Sequence, residues 1–389
     1  MKKALAVLLV LVAAVSMAFA NGNSEKGASD VYKIGFIGPL TGDNANYGIR
    51  CSNAAKLAIS EINAKGGIGG KMLELIPEDS EGTVEKALAG YEKLAYSDNV
   101  AAIIGPVFTS PALAVGPRAN EDGITMITPS ATHKDVTAAG EYVFRTVPSD
   151  ALQSEVASHY FYEVLGYRNI AILYAANDYS QGLALGLEQT FSSLGGKIVA
   201  KETCMVGDKD FKTQLTKIAA LKPEAIYIPN YTVEMAQILE QAAQLGIDIP
   251  FLSGDGFSDP MIYQLAGDFC DGVIYIGPSQ AKASSVLTDF QAAYRKAYNG
   301  DEPDSFATNS YDAVYILAAA IEKAGSDDKA AIRDNVAATK DYNGANGIMN
   351  FAPNGDLVAS QGVYKVEKTT PVYQGAYQVA SDGSFVKVE

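Results

Sequence analysis

The stretch "YKIGFIGPLTGDNANYGIRCSNAAKLAISEINAKGGIGGKMLELIP", residues 32–77, decides the fold. It opens with an apolar run at 32–38 that ends in glycine, which predicts a buried strand. A second apolar run, 72–77, predicts the next strand. The residues between them, 48–63, predict an amphipathic helix, because four apolar side chains fall on one of its faces: Ala54, Leu57, Ala58 and Ile62. Strand, helix and strand in this order indicate a parallel sheet covered by helices.

The same alternation continues outward from this unit. Strands are predicted at 101–104 and 124–127 and helices at 84–96 and 111–121. The alternation of helices and strands begins again after 142–147, so the sequence predicts a second α/β block. Its predicted elements are helices at 152–165, 181–193, 211–221 and 233–245, and strands at 170–174, 197–203, 225–228, 251–252 and 273–276. Two long helical patterns, 286–298 and 306–324, follow, and the last forty residues read as short β segments with turns.

Length and charge limit the class of protein. A chain of 389 residues suggests two domains. Its net charge of −15 argues against a nucleic-acid partner and against adhesion to anionic membranes, because both select basic surfaces.

The first thirty residues read as an export signal and a tail. Lys2 and Lys3 precede a short apolar run, and Ala18-Phe19-Ala20 supplies a small-residue cleavage site, so residues 1–20 are predicted to be a signal peptide. No lipobox cysteine follows the apolar run. Residues 21–30 are predicted to be a disordered tail, and the protein is expected to be periplasmic.

No motif for catalysis, metal binding or a cofactor stands out in the sequence. The two histidines lack zinc-ligand spacing, and HExxH, CxxC and GxSxG are absent. The glycine-rich stretch 66–72 lacks the Ser/Thr of a phosphate loop and is interpreted as a helix end and turn. The three cysteines are interpreted as buried small apolar residues, although one disulfide stays open: Cys51, Cys204 and Cys270. The sequence therefore predicts no enzyme, no metal site and no cofactor.

Two strand ends in the first block carry hydroxyl groups. In open α/β sheets, ligands bind outside the carboxyl ends of the strands. "GPVFTSPAL" places Thr109 and Ser110 at the start of a predicted helix, with Ser110 as N-cap and Pro111 as first residue, and free amides there suit a carboxylate. "TPSAT" places Ser130 and Thr132 after the neighbouring strand. Simple helix capping and a serine/threonine turn remain alternatives for these two stretches.

Three strand ends in the second block carry a different chemistry. Tyr179 in "NDYSQG" and Tyr231 in "PNYTVEM" open predicted helices, and Asp255 lies between two glycines in "SGDGFSDP". A carboxylate and aromatic rings can hold an ammonium group. A turn is the alternative for the aspartate. The two sets together suggest that an amino acid zwitterion is bound between two lobes.

The sequence resembles the leucine/isoleucine/valine-binding proteins of ABC importers, which are type I periplasmic solute-binding proteins. The resemblance covers essentially the whole chain after the signal peptide. It rests on six stretches in one order: "KIGFIGPLTGDNANYG" (33–48), "AISEINAKGGIGGK" (58–71), "MITPSAT" (126–132), "GDKDF" (207–211), "NYTVEMAQILEQAAQLG" (230–246) and "SGDGFSDP" (253–260).

The resemblance implies an α/β fold with two Rossmann-like lobes, joined by three hinge crossings near Val147, Ile276 and Gly347, that close over the ligand. Lobe 1 would comprise 31–147 and 277–347, and lobe 2 would comprise 148–276 and 348–389. Within this frame the ligand-binding residues are assigned as Tyr47, Thr109, Ser110, Ser130, Thr132, Tyr179, Tyr231 and Asp255. The first five belong to lobe 1, where Tyr47 would lie beside the ligand side chain and the hydroxyl residues would hold the carboxylate. The other three would hold the amino group.

The sequence departs from the valine-type binder of this family at two places. Asp255 stands where that binder has glutamate, and Phe108 stands at one end of its disulfide. Despite these departures, the resemblance implies that the protein is a monomer that delivers an amino acid, branched-chain or otherwise aliphatic, to an ABC permease. The alternatives are a ligand-sensing protein of the same fold, a binder of amides, urea or aromatic acids, and a secreted hydrolase.

Overall fold

The computed structural model describes residues 31–279 and 284–388, whose strands form two large sheets and one two-stranded ribbon. The predicted signal peptide (1–20) and the predicted tail (21–30) lie outside the described residues. Among the described helices, none is both long and apolar enough to cross a bilayer.

The first sheet has the strand order β2-β1-β3-β4-β5. Its strands are β1 Val31–Gly38, β2 Met72–Asp79, β3 Ala102–Ile104, β4 Thr125–Thr128 and β5 Val143–Arg145. The pairs β1–β3, β3–β4 and β4–β5 are parallel, as the alternation of strand and helix predicts. The strand interiors are apolar because helices cover the sheet; Phe36 and Ile104, for example, have no exposed surface.

The second sheet has eight strands in the order β15-β14-β13-β10-β9-β8-β6-β7. Its strands are β6 Asn169–Ala175, β7 Lys197–Cys204, β8 Ala225–Tyr227, β9 Phe251–Ser253, β10 Ile274–Pro278, β13 Gln361–Glu367, β14 Thr370–Val379 and β15 Phe385–Lys387. Strands β6–β10 are parallel to one another. The last three strands add an antiparallel edge next to β10. The separate ribbon pairs β11 Tyr342–Gly344 with β12 Gly347–Met349.

Eleven α-helices within the described residues connect the strands. They are α1 Ala45–Ala64, α2 Val84–Glu92, α3 Thr109–Glu121, α4 Asp150–His159, α5 Asp178–Ser193, α6 Lys212–Ala220, α7 Thr232–Gln244, α8 Met261–Ala266, α9 Ser285–Ala297, α10 Ser305–Ala324 and α11 Lys329–Ala337. Two of them, α2 and α4, continue into π-helical turns at Lys93–Asp98 and Tyr160–Val164.

The helices after β10 return to the first sheet. Helix α10 packs along α1 and contacts β3 and β4. Two hydrogen bonds fix this arrangement: Ser310 Oγ donates to the Cys51 carbonyl at 2.9 Å, and Tyr298 donates to the Asn53 carbonyl at 2.7 Å. Thus a segment far along the chain adds a helix to the layer that covers the first sheet.

A short segment after the ribbon also lies against the first sheet. The rings of Phe144 and Phe351 are 5.4 Å apart, and the Arg145 amide donates to the Gly355 carbonyl at 3.2 Å. The buried Arg145 guanidinium pairs with Asp356, with Nε 2.6 Å from Oδ1. Residues 351–356 therefore contact β5 before the chain enters β13.

The predicted start of α3 is corrected by two residues. The helix begins at Thr109, with Phe108 at the N-cap position, so Ser110 is not the cap and Pro111 is the third helical residue. Proline is tolerated anywhere in the first turn, because the N–H groups there have no intrahelical acceptor. The shift places the Thr109 and Ser110 side chains in the first helical turn, on different sides of it.

The glycine-rich stretch and the cysteines take the places predicted for them. Helix α1 ends at Ala64, and Gly66 and Gly67 adopt φ of +101° and +71° in the turn that leads to β2. The three cysteines are free and buried, so they act as small core residues: Cys51, Cys204 and Cys270.

Candidate functional site

A narrow cavity lies at the carboxyl ends of the parallel strands of both sheets. It is lined by Tyr47, Val107, Phe108, Thr109, Ser130, Tyr179, Tyr231, Asp255, Gly256 and Phe306. Six of the eight predicted ligand-binding residues are among these. Each follows a different strand: Tyr47 comes after β1, Thr109 after β3, Ser130 after β4, Tyr179 after β6, Tyr231 after β8 and Asp255 after β9. Strand ends separated by more than two hundred residues therefore meet at one place.

Aromatic rings form the apolar part of the cavity. Phe108 stacks on Tyr231 with ring centroids 4.5 Å apart, and Tyr231 stacks in turn on Tyr179 at 5.4 Å. Tyr47 meets Phe108 edge-on at 5.6 Å and lies 6.0 Å from Phe306. Ring pairs at these distances stabilise their packing beyond simple area burial, so the cavity has rigid apolar walls.

Asp255 supplies the carboxyl group of the cavity. It is 2% exposed, and its Oδ1 accepts a hydrogen bond from the Tyr179 hydroxyl at 2.8 Å. Its backbone N–H donates to Gln153 Oε1 at 2.8 Å. Burial raises the pKa of Asp255, whereas the hydrogen bonds from Gln153 and Tyr179 lower it. A buried carboxylate in this state gains from a cationic partner.

The two glycines around Asp255 allow a close packing that a Cβ atom would prevent. A Cβ on Gly254 would lie 2.6 Å from Gln153 Oε1, and a Cβ on Gly256 would lie 2.7 Å from the Asn230 carbonyl. Neither glycine has a positive φ. The residues 255–258 do form a 3₁₀ turn, so the turn interpretation of the sequence also holds. A side chain at either glycine would displace the groups that hold Asp255.

The hydroxyl-rich stretch after β4 contains one organising residue that the sequence analysis did not single out. Thr128 Oγ1 donates to the Pro106 carbonyl at 2.7 Å and accepts from the amides of Ala131 at 3.0 Å and Ser130 at 3.4 Å. This is a threonine turn. It fixes the loop so that Ser130 reaches the cavity, while Thr132 is fully buried behind it.

Ser110 and Thr132 are the two predicted residues that do not line the cavity. Ser110 faces an adjoining groove, where its Oγ accepts from the Asp178 amide at 3.4 Å. Thr132 lies beside Asp150, and its carbonyl accepts from the Asp150 amide at 2.8 Å. Thr109, rather than Ser110, is therefore the α3 hydroxyl residue at the cavity.

Tyr47 connects helix α1 to the ends of β8 and β9. Its hydroxyl lies 2.7 Å from Thr232 Oγ1 and donates to the Gly256 carbonyl at 3.0 Å. The pKa of the Tyr47 phenol is raised well above its ordinary value, chiefly by burial. It therefore stays a neutral donor at physiological pH.

A second connection between these elements is ionic. Arg50 and Asn46, both on α1, contact the carboxylate of Asp259, which lies between β9 and α8. The Arg50 guanidinium also lies 3.3 Å from Asp301. The Arg50 and Asp259 side chains are 5% and 0% exposed, respectively, so water screens their attraction weakly. These contacts hold the first and second sheets together beside the cavity.

Sequence reasoning missed part of the cavity wall. Phe306 comes from the start of α10, about fifty residues after the last predicted site residue, and no local pattern distinguishes it from a core residue. Phe108 entered the sequence analysis only as a departure from the family. Throughout 31–279 and 284–388, no group of three or more His, Cys, Asp or Glu residues is arranged to hold a metal ion.

The fold and this cavity define a class of protein: a two-sheet α/β binding protein with its site between strand ends. Residues 31–370 match the family of periplasmic binding proteins, and the chain belongs to that family.

Relatives with known names and structures agree with the predicted resemblance. A leucine-, isoleucine-, valine-, threonine- and alanine-binding protein of Pseudomonas aeruginosa is 33% identical over 92% of this chain and 95% of its own length. A leucine binding protein, LivK, of Thermotoga maritima has a TM-score of 0.84 at 30% identity, covering 89% of this chain and 98% of that one. The isoleucine complex of LivJ from Streptococcus pneumoniae has a TM-score of 0.82 at 31% identity, with coverages of 92% and 99%. The predicted family and the predicted type I periplasmic binding protein fold are thus confirmed.

Proposed function

We propose that this protein binds one amino acid with an aliphatic side chain, branched-chain in the first instance, and delivers it to an ABC permease. The observation that carries the proposal is the chemistry of the cavity. One side offers the buried carboxyl of Asp255 beside Tyr179 and Tyr231, and the other offers the hydroxyl groups of Thr109 and Ser130. Opposite polar ends of this kind complement a zwitterion.

The apolar walls support an aliphatic side chain. Tyr47, Phe108 and Phe306 offer ring faces and edges and no charge. The Pseudomonas relative is named for leucine, isoleucine, valine, threonine and alanine, and the Streptococcus structure holds isoleucine. These names favour small aliphatic amino acids for this chain as well.

In this proposal the ammonium group lies against Asp255, and the carboxylate lies against Thr109 and the Ser130 backbone, because Thr132 does not line the cavity. The site needs no arginine, because hydroxyls and helix-terminal amides can bind a carboxylate. The protein would bind its ligand without turnover. Chromatography of the ligand after prolonged incubation tests this point, since an enzyme would return an altered molecule.

We further propose that the protein works as two lobes that close over the ligand. Lobe 1 would comprise 31–147 and 277–347, and lobe 2 would comprise 148–276 and 348–389. The contacts of 351–356 with β5 favour moving the third crossing towards 357–361. A ligand-dependent decrease in the radius of gyration, measured by small-angle X-ray scattering, is expected for lobe closure.

Calorimetric titration tests the ligand. The protein is unfolded and refolded to remove bound ligand and then titrated with the twenty amino acids, followed by aliphatic amides, urea and small aromatic acids. One-to-one binding of leucine, isoleucine or valine is expected. Binding of a ligand without an ammonium group alone would contradict the role of Asp255, and no binding at all would contradict the function.

A further inference from the structure

Asn309 is a buried polar side chain on α10, three residues after Phe306 of the cavity wall. It has no exposed surface, and both ends of its amide have partners. Its Nδ2 donates to the Pro129 carbonyl at 3.0 Å, and its Oδ1 accepts from Asn346 Nδ2 at 2.7 Å. A carbonyl can only accept, so the contact with Pro129 fixes which end of the amide faces the turn after β4. Asn309 therefore presents a donor of fixed direction to that turn.

Asn346, the other partner of Asn309, is itself held in place. Its backbone N–H and that of Ala345 donate to the two carboxyl oxygens of Asp312, both at 2.8 Å. Asp312 lies on α10, three residues after Asn309, and has no exposed surface. The turn between β11 and β12 is thus fixed to the same helix that carries Asn309. Asn346 is therefore a fixed partner, and it holds the Asn309 amide in the orientation that the Pro129 carbonyl requires.

The two ends of the turn after β4 are held by a different part of the fold. Strand β5 and the residue after it donate to the carbonyls of Thr128 and Thr132, at 3.0 Å and 2.8 Å. Pro129 lies between these two anchors, and Asn309 on α10 is the donor to its carbonyl. The proline ring fixes φ of residue 129 but leaves ψ free. The plane of the peptide that follows Pro129 therefore needs an outside contact to fix it, and Asn309 supplies that contact.

Fixing the Pro129 carbonyl also fixes the backbone N–H of Ser130. The two groups belong to one planar trans peptide, in which C=O and N–H point in opposite directions. Ser130 lines the cavity, and its N–H makes a long contact, 3.4 Å, with Thr128 Oγ1. This N–H therefore keeps most of its capacity to donate to a ligand. If the peptide turned over, the Pro129 oxygen would replace the N–H, and an oxygen there would repel a carboxylate.

We propose that Asn309 is a positioning residue: by holding the Pro129 carbonyl it aims the Ser130 N–H at the ligand carboxylate. The inference rests on the proposed function, in which the carboxylate lies against the Ser130 backbone. Asn309 acts through the turn, since it is not among the residues that line the cavity. A hydrogen bond to a charged group stabilises more than one between neutral groups. The direction of the Ser130 N–H therefore matters most for a ligand whose carboxyl group is ionised.

The test compares the wild type with Asn309→Ala by calorimetric titration at pH 7. The probes are leucine, isoleucine, valine and alanine, together with the amide of whichever binds best, in which a neutral carboxamide replaces the carboxylate. Asn309→Ala is expected to raise Kd of the amino acid by about tenfold to a hundredfold and Kd of its amide by about threefold. A purely structural loss would weaken both ligands by the same factor, and that result would overturn the positioning role.

Asn335→Ala is the matched control. Asn335 lies on α11, and its Nδ2 also donates to a backbone carbonyl, that of Ala320, at 3.1 Å. It does not line the cavity. The control is therefore expected to bind both the amino acid and its amide with the Kd values of the wild type. A shift in the ratio of the two Kd values in this control would show that the ratio does not report on the turn, and it would overturn the inference.

The Ser130 amide proton gives a second readout, which decides the question if the amide ligand binds too weakly to measure. In 15N-labelled protein, saturation with the best-bound amino acid is expected to move this resonance downfield in the wild type, because a hydrogen bond to a carboxylate deshields the proton. The movement should be much smaller in Asn309→Ala. If Asn309→Ala does not fold, Asn346→Ala removes the group that orients Asn309 and is expected to give the same changes at smaller size.

Two outcomes of the resonance experiment would overturn the positioning role: no movement in the wild type, or an equal movement in the wild type and the variant. Failure of the wild type to bind any of the four amino acids would instead overturn the proposed function, and the inference with it.

Discussion

Asp255→Asn is the substitution that tests the proposed ammonium site most directly. The carboxyl group is 2% exposed and accepts from the Tyr179 hydroxyl at 2.8 Å, and its backbone N–H is held by Gln153. Asparagine has the same shape, and its amide oxygen can accept the same hydrogen bond. The substitution therefore removes the negative charge and leaves the packing of the loop in place.

The expected loss of affinity follows from the burial of the pair. Removing one charge of a buried, hydrogen-bonded ion pair typically costs about 2–5 kcal/mol of binding free energy. The asparagine oxygen still offers a dipole to the ammonium group, so we expect a loss of about 3 kcal/mol, which is roughly a 150-fold increase in Kd.

The thermal stability of the unliganded Asp255→Asn variant is expected to stay the same or to rise, although its affinity falls. The pKa of Asp255 is raised in the folded protein, so this group lowers stability as pH rises from the unfolded pKa to the folded pKa, and the full cost is present above the folded pKa. At pH 7 the neutral asparagine avoids this cost, and the Tm of the unliganded variant is expected to equal or exceed that of the wild type. Loss of affinity without loss of Tm separates a binding role from a structural one.

The assay is calorimetric titration at pH 7, paired with thermal unfolding of the unliganded protein. The matched control is Asp248→Asn, the same substitution at an exposed position, which should leave both Kd and Tm unchanged. An affinity within about threefold of the wild type would show that the ammonium group does not lie against Asp255. A large drop in Tm would show that the carboxylate has a structural role.

Three further outcomes are expected. Asp259→Ala leaves the buried guanidinium of Arg50 without its nearest carboxylate, so the free energy of unfolding in urea should fall by about 3–5 kcal/mol; a fall below about 1 kcal/mol would mean that the pair behaves like a surface ion pair. Burial raises the pKa of Asp304 to about 7, and its ionised form therefore costs stability that grows from about pH 4 to pH 7. Because asparagine caps a helix as well as aspartate, the Tm of Asp304→Asn should match the wild type at pH 4.5 and exceed it at pH 8, and an equal difference at both pH values would contradict this. Tyr231→Ala removes a ring stacked on Phe108 and should weaken ligand binding by about 2–3 kcal/mol in calorimetry, whereas Tyr231→Phe should bind normally if the ring face is what matters.

Much of the site could be predicted because parallel strands impose a rule. Their carboxyl ends meet at one edge, so hydroxyls after β3 and β4 and aromatic or acidic residues after β6, β8 and β9 can be expected near one another. Five of the seven residues chosen in this way line one cavity, and Tyr47, which the family resemblance supplied, lines it as well. The choice between Thr109 and Ser110 could not be made, because it depends on where α3 begins, and a one-residue shift turns the side chain by about 100° around the helix axis.

The remaining features depend on contacts between distant parts of the chain. Phe306 reaches the cavity because α10 packs along α1, which neither segment reveals alone. The glycines at 254 and 256 match a turn signal, yet the structure needs them for close contact with Gln153 and Asn230. In the sequence, Asp150 cannot be distinguished from an ordinary acidic residue in the first turn of a helix.

The sequence by itself determined the α/β alternation and the kinds of side chain that follow each strand. Apolar periodicity and turn residues act within a few positions, and they leave a readable local pattern. Only the tertiary structure decided that Asp150 lies beside Thr132, and that Arg50 meets Asp259 across the two sheets. Those contacts join residues as many as 209 positions apart, and close packing in three dimensions, rather than any local pattern, selects them.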